Sequence, residues 1–336
     1  MSPAALLALA GRHGPLLLLA GVLAGLAWPG LAAACRPAMD VAVFGFTLGA
    51  FLKVEPPALR GETGRARLPR NLAVLAWSTF GVPLAGWGLI LLLRPAPELA
   101  EGMLLCLLAP PVGGAAALAC MLGLNAPVAL LASVAATALS PLVLPALAEL
   151  LGGYALALEP LAMARRLGLI VGGTVAASWL LRRWAGRSIA AHPEAVTGAA
   201  VVALVVFALG AMQGMQARFA AEPGLVAAYL GIAFAVNGGF QLLGAALFAR
   251  AGLDCAATVG LISGNRSVGF AWAAVGATMP PLVETYFAMA VLPIYVLPVV
   301  AKPLVALARR RGWLRGWRPA AAAPALVPFE APATQG

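Results

Sequence analysis

Ten runs of mostly apolar residues divide this chain, most of them near the length of helix that crosses the hydrocarbon core of a bilayer. They cover approximately residues 15–34, 38–53, 71–93, 102–123, 126–150, 163–181, 195–217, 225–249, 255–278 and 281–308. So many spans leave one fold class, an all-α polytopic membrane protein, because backbone groups in lipid must find partners within the helix itself. Composition agrees: 10% of residues are charged and 62% hydrophobic, against about a quarter charged in soluble domains. A net charge of +10 would point to nucleic acid in a soluble chain. Here Lys and Arg gather at the ends of spans, so the partner is the lipid bilayer and no nucleic acid is expected.

The segment Leu16 to Ala34 followed by Cys35 has the outline of a secretory leader. It is read as the first span instead, since nine more follow and its removal would leave unequal halves. An even number of spans puts both termini on one side, and the basic residues choose the side. With the termini in the cytoplasm, the inner segments hold fifteen Lys and Arg, among them Lys53, Arg60, Arg65, Arg67, Arg70, Arg182, Arg183, Arg187 and Arg250. The outer segments hold five: Arg36, Arg94, Arg165, Arg166 and Arg218. The abundance of Ala, Gly, Pro and Arg associates the chain with a GC-rich bacterium, and the expected location is the bacterial inner membrane.

Two spans are interrupted by residues that disfavour a helix. One break holds Pro110, Pro111, Gly113 and Gly114, and the other holds Gly264, Asn265, Arg266, Ser267 and Gly269. They occupy corresponding places in the two halves of the chain. Unwound backbone at membrane depth is tolerated only where protein or a watery cavity satisfies it, and paired interruptions point to a transport site. Ten spans divide into five and five, and an odd number per half inverts the second half relative to the first. The expected organisation is a cytoplasmic N-terminus over 1–14, a first five-helix repeat over 15–151, an inverted second repeat over 162–308, and a basic then Ala/Pro-rich disordered tail over 309–336.

Arg266 is the one formal charge expected well inside a span. An arginine there costs about 2.5 to 3.5 kcal/mol on insertion scales, so it must face a wet cavity or polar partners, and it is the first site candidate. The competing reading has it reaching an interface or capping carbonyls freed by the break. Ser263, Asn265 and Ser267 flank it. In the other half Ser133 and Thr137 lie four apart on one helix face, and Asn237 and Gln241 do the same on the eighth span. Each hydroxyl taken alone is more simply a helix-internal hydrogen bonder.

Equally informative are the absences. No Asp or Glu lies near the middle of a span, so no cation ligand is evident. Cys35, Cys106, Cys120 and Cys255 lack C-x-x-C spacing, and His13 and His192 fall in polar connectors. No metal or cofactor is expected, and without a buried acid–base pair or a G-x-S-x-G elbow no enzyme is expected either.

FGFTLGAFLK at 44–53, APPVGGAAALACMLGLNAPVALLASVAATALSPLVLP at 109–145 and TVGLISGNRSVGFA at 258–271 together resemble the bile acid:sodium symporter family, over most of residues 15–308. The resemblance implies ten helices in two inverted repeats whose fourth and ninth helices unwind and cross. It also implies sodium ligands: a Ser-Asn pair after the first break, hydroxyls on the fifth helix, a Glu and a Gln in the ninth, and a Gln in the third. At those positions this chain has Ala115 and Ala116, Ala129 and Ser133, Ile262 and Arg266, and Ser78. Only Ser133 keeps a ligand-like group, so the sodium site is largely substituted. The guanidinium of Arg266 is a candidate to occupy the space of the missing ion.

The function expected from this reading is secondary transport of a small or amphipathic organic anion by alternating access, without the family's sodium coupling. The protein would act as a monomer or weak homodimer. Two rival readings are an arsenite-type oxyanion efflux permease, which would use Cys106 or Cys120, and a transport-dead membrane sensor or scaffold.

Overall fold

A computed structural model describes residues 3–54, 64, 67–152, 159–276 and 279–310. The tail from 311, expected to be disordered, most of the segment 54–70 and the centre of the 152–162 connector lie outside the described residues. Among those described the chain is all-helical, and the only β-type pairing is one isolated bridge.

In chain order the helices are α1 (Pro3–Arg12), α2 (Gly14–Ala27), α3 (Pro29–Cys35), α4 (Met39–Leu52), α5 (Leu68–Ala76), α6 (Val82–Leu93), α7 (Pro97–Leu108), α8 (Ala115–Leu122) and α9 (Ala126–Gly152). The second part of the chain supplies α10 (Pro160–Ala191), α11 (Pro193–Ala211), α12 (Met215–Ala221), α13 (Pro223–Leu247), α14 (Leu253–Gly264), α15 (Val268–Val275) and α16 (Pro281–Arg310). Seven helical stretches are long and apolar enough to cross a membrane: 29–52, 68–93, 126–152, 160–191, 193–221, 223–247 and 281–303. An eighth results if α1 and α2, bent by 90° relative to each other, count as one span. Apolar side chains such as Leu92, Leu142, Leu161 and Leu242 face outward, as they must where the solvent is lipid.

Several boundaries differ from the sequence reading, each for a local reason. The first two apolar runs do not part at residues 35–37. Arg36–Ala38 forms a 3-10 turn that joins α3 to α4, and the break falls instead at Trp28, with φ −124° and ψ 87°. Pro29 is the cause, since the residue before a proline is pushed out of the helical region. Residues 3–12 are a helix packed against the start of α11, with Gly11 close to Glu194 and Gly198, rather than a plain polar connector. Past residue 181, where the apolar run ends, α10 continues to Ala191 with a kink at Ala185, because arginine is a good helix former whatever its polarity. That extension positions Arg182, whose Nη2 donates to the carbonyls of Phe51, Leu52 and Val54 at 2.9, 3.0 and 2.6 Å. These carbonyls lie at and just past the α4 C-terminus, the negative end of that helix.

The fourth and ninth apolar runs are each two short helices. α7 has 12 residues and α8 has 8, and α14 has 12 and α15 has 8. None alone spans a bilayer.

Candidate functional site

The breaks at 109–114 and 265–267 meet, and each supplies what the other lacks. Pro111 and Arg266 face each other in an antiparallel bridge. Val112 N–H donates to the Asn265 carbonyl at 2.9 Å, and Ser267 N–H donates to the Pro110 carbonyl at 2.8 Å. Those two bonds flank the Pro111–Arg266 pair, so Pro111 sits where no N–H is called for. Ala109 is extended, with φ −60° and ψ 150°, as the residue before Pro110 should be. Buried backbone that leaves its own helix is thus satisfied by the other break.

Arg266 is 3% exposed. Its Nη1 donates to Ser78 Oγ at 3.2 Å and, at the limit of a hydrogen bond, to the Ile262 carbonyl at 3.5 Å, and its Nη2 donates to the Ser78 carbonyl at 2.9 Å. All three partners are neutral oxygens, and among the described residues no carboxylate pairs with it. Ser78 is available because Trp77–Gly81 is a π-helical turn. Val82 N–H passes over the Ser78 carbonyl to bond Trp77 O, and the next residue along, Pro83, has no N–H to offer. The freed carbonyl points at the guanidinium instead. Single π turns of this kind recur at functional sites.

The neighbouring candidates fall into two groups. On one side Gln241 Nε2 donates to Asn237 Oδ1 at 2.7 Å, and Asn237 Nδ2 donates to Asn265 Oδ1 at 3.2 Å, so three amides form a relay into the second break. Ser263 Oγ accepts from Trp77 Nε1 at 2.8 Å and donates to the Val259 carbonyl at 2.7 Å, joining α14 to the π turn. Asn237, Gly264 and Arg266 border a cavity of about 20 Å³ together with Cys106 and Tyr286. Arg266 Nε and Asn265 Nδ2 are buried donors with no hydrogen-bond partner among the described residues, which in a low-dielectric interior is costly. On the other side Ser133, Thr137 and Ser267 share a cavity of about 10 Å³ with Pro111 and Gly113. Ser133 Oγ donates to its own helix, to the Ala129 carbonyl at 2.7 Å.

The glycines differ in what they do. A Cβ on Gly264 would stand 2.2 Å from the Asn237 carbonyl oxygen and 2.5 Å from Gln241 Cγ, and one on Gly269 would stand 2.9 Å from Phe46 Cζ. Both are close-approach positions. A Cβ on Gly113 would make ordinary contact at 3.4 Å from Ala50 Cβ, and Gly114 has φ −82° and nothing within 4 Å. Neither of those two is required by conformation or space.

A larger cleft of about 170 Å³ reaches the first break at Val112 and Gly114. Leu18, Val201, Leu204, Ile294 and Tyr295 form much of its wall, and Gly11, Gly14 and Thr197 lie toward one end. Ser78 and the π turn are the parts of this arrangement that the list of candidates in the sequence lacked. Pro83, five residues after Ser78, marks the place in the sequence, but it frees the Ser78 carbonyl only because Val82 N–H bonds Trp77 O, which the sequence alone does not reveal. No protein-family model matches the chain, and no curated protein matches it.

Proposed function

We propose that this chain is a secondary transporter of the bile acid:sodium symporter type, with ten spans in two inverted five-helix repeats, moving a small or amphipathic organic anion by alternating access. One observation carries the reading: two broken apolar helices meet, and at their meeting point a guanidinium is buried against neutral oxygens alone. A permanent positive charge held at such a place favours an anionic solute, and the N-termini of α8 and α15 at the breaks add partial positive charge. The matching 12- and 8-residue halves of the two broken segments support the repeat. The apolar cleft whose lining includes Val112 and Gly114 suits a solute with a hydrophobic body.

Sodium is not needed in this scheme. Ser78 and Ile262 stand where the family resemblance expects sodium ligands, and in this chain their oxygens are engaged by Arg266. The guanidinium serves as a tethered cation. The protein sits in the bacterial inner membrane with both termini in the cytoplasm, as the distribution of Lys and Arg directs.

The test is counterflow in proteoliposomes with a panel of organic anions, with and without sodium, comparing the native chain with Arg266→Gln. Sodium-independent exchange of at least one anion, lost in the variant, is the expected result. Uptake that rises steeply with an imposed sodium gradient would overturn it.

A further inference from the structure

The lining of the cleft reaches Leu204 on α11 and stops at Ile294 on α16, and along these two helices the residues beyond it come in one order. On α11, Val201 and Leu204 line the cleft, Phe207 follows, and Gly210 then packs against Met39 and Cys35. On α16 the sequence is reversed: Ile294 and Tyr295 line the cleft, Phe287 lies beyond them, and Glu284 stands at the far end. Glu284 is about 15 Å from Ile294 along the helix axis at 1.5 Å per residue. Past the cleft's lining, therefore, α11 and α16 run on through packed interior that is built in layers.

The first layer is a chain of aromatic rings that passes from α4 to α16. Phe46 meets Phe207 edge to face at 6.3 Å, Phe207 meets Trp272 at 6.2 Å, and Trp272 meets Phe287 at 6.0 Å. Beyond it, Arg36 in the turn before α4 lays its guanidinium 4.5 Å from the Trp272 ring centroid and pairs with Glu284. Arg166 on α10 donates to the carbonyl of Val275, the last residue of α15. Gly276 leaves the room for that arginine, with φ +80° and a would-be Cβ 2.2 Å from Arg166 Nη1. Both cations thus hold the C-terminal part of α15, where a helix carries partial negative charge. The other end of α15 is the break at Ser267.

We infer that Arg36, Arg166, Trp272 and Glu284 form a gate between the cleft and the face of the protein that bears Arg36, with α15 as the rod linking this gate to the helix break. Opening requires the ion pair and the cation–π contact to part and the ring chain to separate at Phe207–Trp272. The purpose of such a gate rests on the transport reading above, but its existence does not, and it is measurable without substrate.

The experiment places a single cysteine in the cleft, Gly114→Cys, where a side chain meets nothing within 4 Å, in a chain whose four native cysteines are replaced by alanine. Membrane-impermeant maleimide is applied from each face in right-side-out and inside-out vesicles. The expected result is rapid labelling from one face and slow labelling from the face bearing Arg36. Arg36→Ala and Glu284→Ala should each raise the slow rate by roughly fivefold, the scale set by a half-buried ion pair with a stacked aromatic. Arg36→Glu combined with Glu284→Arg should label more slowly than either single change, since the pair is restored in reverse. Unchanged labelling in the single variants, a charge swap no slower than they are, or an equal rise from both faces would each overturn the gate. Absence of anion flux with this labelling pattern intact would sink the transport reading and leave the gate standing.

Discussion

The backbone carbonyl of Ser78 accepts a 2.9 Å hydrogen bond from Arg266 Nη2, 188 residues away in the chain. It is free to do so because Val82 N–H bonds Trp77 instead and Pro83 has no N–H. A charge in the second half of the protein is therefore anchored by a missing donor in the first.

Pro83→Ala tests that relationship. Alanine supplies an N–H in position to capture the Ser78 carbonyl, either by a further π bond or by shifting the turn to α geometry. Helix stability should rise, because proline is unfavourable inside a helix, while Arg266 loses one of its partners, a bond to a charged group worth about 1.5 to 3 kcal/mol. The expected outcome is unchanged or raised thermal stability in detergent with anion counterflow reduced severalfold. Loss of both together would show that the turn matters only for folding.

Arg266→Met separates function from folding more sharply. The native guanidinium is buried without a carboxylate, so its removal relieves a desolvation cost, and that offsets the roughly 1 to 3 kcal/mol of leaving the Ser78 carbonyl unpaired. Thermal stability should stay within about 1 kcal/mol of the native chain. Counterflow of organic anions should fall at least tenfold, about 1.4 kcal/mol or more of lost interaction. A variant that unfolds instead would make Arg266 a structural brace.

How far the sequence spoke can be judged at these residues. The two breaks were legible because Pro110, Pro111, Gly264 and Asn265 interrupt runs that are otherwise apolar, and in lipid nothing else tolerates such residues cheaply. The role of Arg266 as a buried cation was legible for the same reason. Its partner was not, since a π turn has no signature of its own and Pro83 reads as an ordinary kink until Val82 is seen to bond Trp77. Hydrophobic runs also mark where lipid is, not where helix ends. That is why the arginine-rich end of α10 and the Trp28 break both fell away from the expected boundaries. Ser133 and Thr137 share a face by spacing alone, and the fold brings Ser267 beside them.

The two kinds of glycine at the breaks should separate under substitution. Gly264→Ala drives a methyl group to 2.2 Å from the Asn237 carbonyl oxygen, so α13 and α14 must move apart and the amide relay through Asn237 breaks. A loss of about 1 to 3 kcal/mol is the usual cost of overpacking, read as a lower melting temperature in detergent. Gly114→Ala meets open space with φ −82° and should be neutral or slightly stabilising, because alanine loses less backbone freedom. Equal effects at the two positions would contradict the close approach at Gly264.

Sodium gives the last test, through the group that stands in for it. In the native chain the Ser78 and Ile262 oxygens are taken by a cation that cannot leave, so replacing external sodium with choline should not change counterflow. Arg266→Gln removes the charge and returns those oxygens, together with an amide oxygen, to any hard cation small enough to enter; such ions take oxygen ligands. The variant should be nearly inactive in choline and partly recovered as sodium rises. Recovery is expected to be incomplete, because Ile262 contributes only its backbone and no carboxylate balances the ion. The native chain's indifference to sodium and the variant's response to it must be found together. A native chain that already responds to sodium would mean that Arg266 lies beside the ion site rather than in it, whereas a variant silent at every sodium concentration would mean that the guanidinium serves the anion directly.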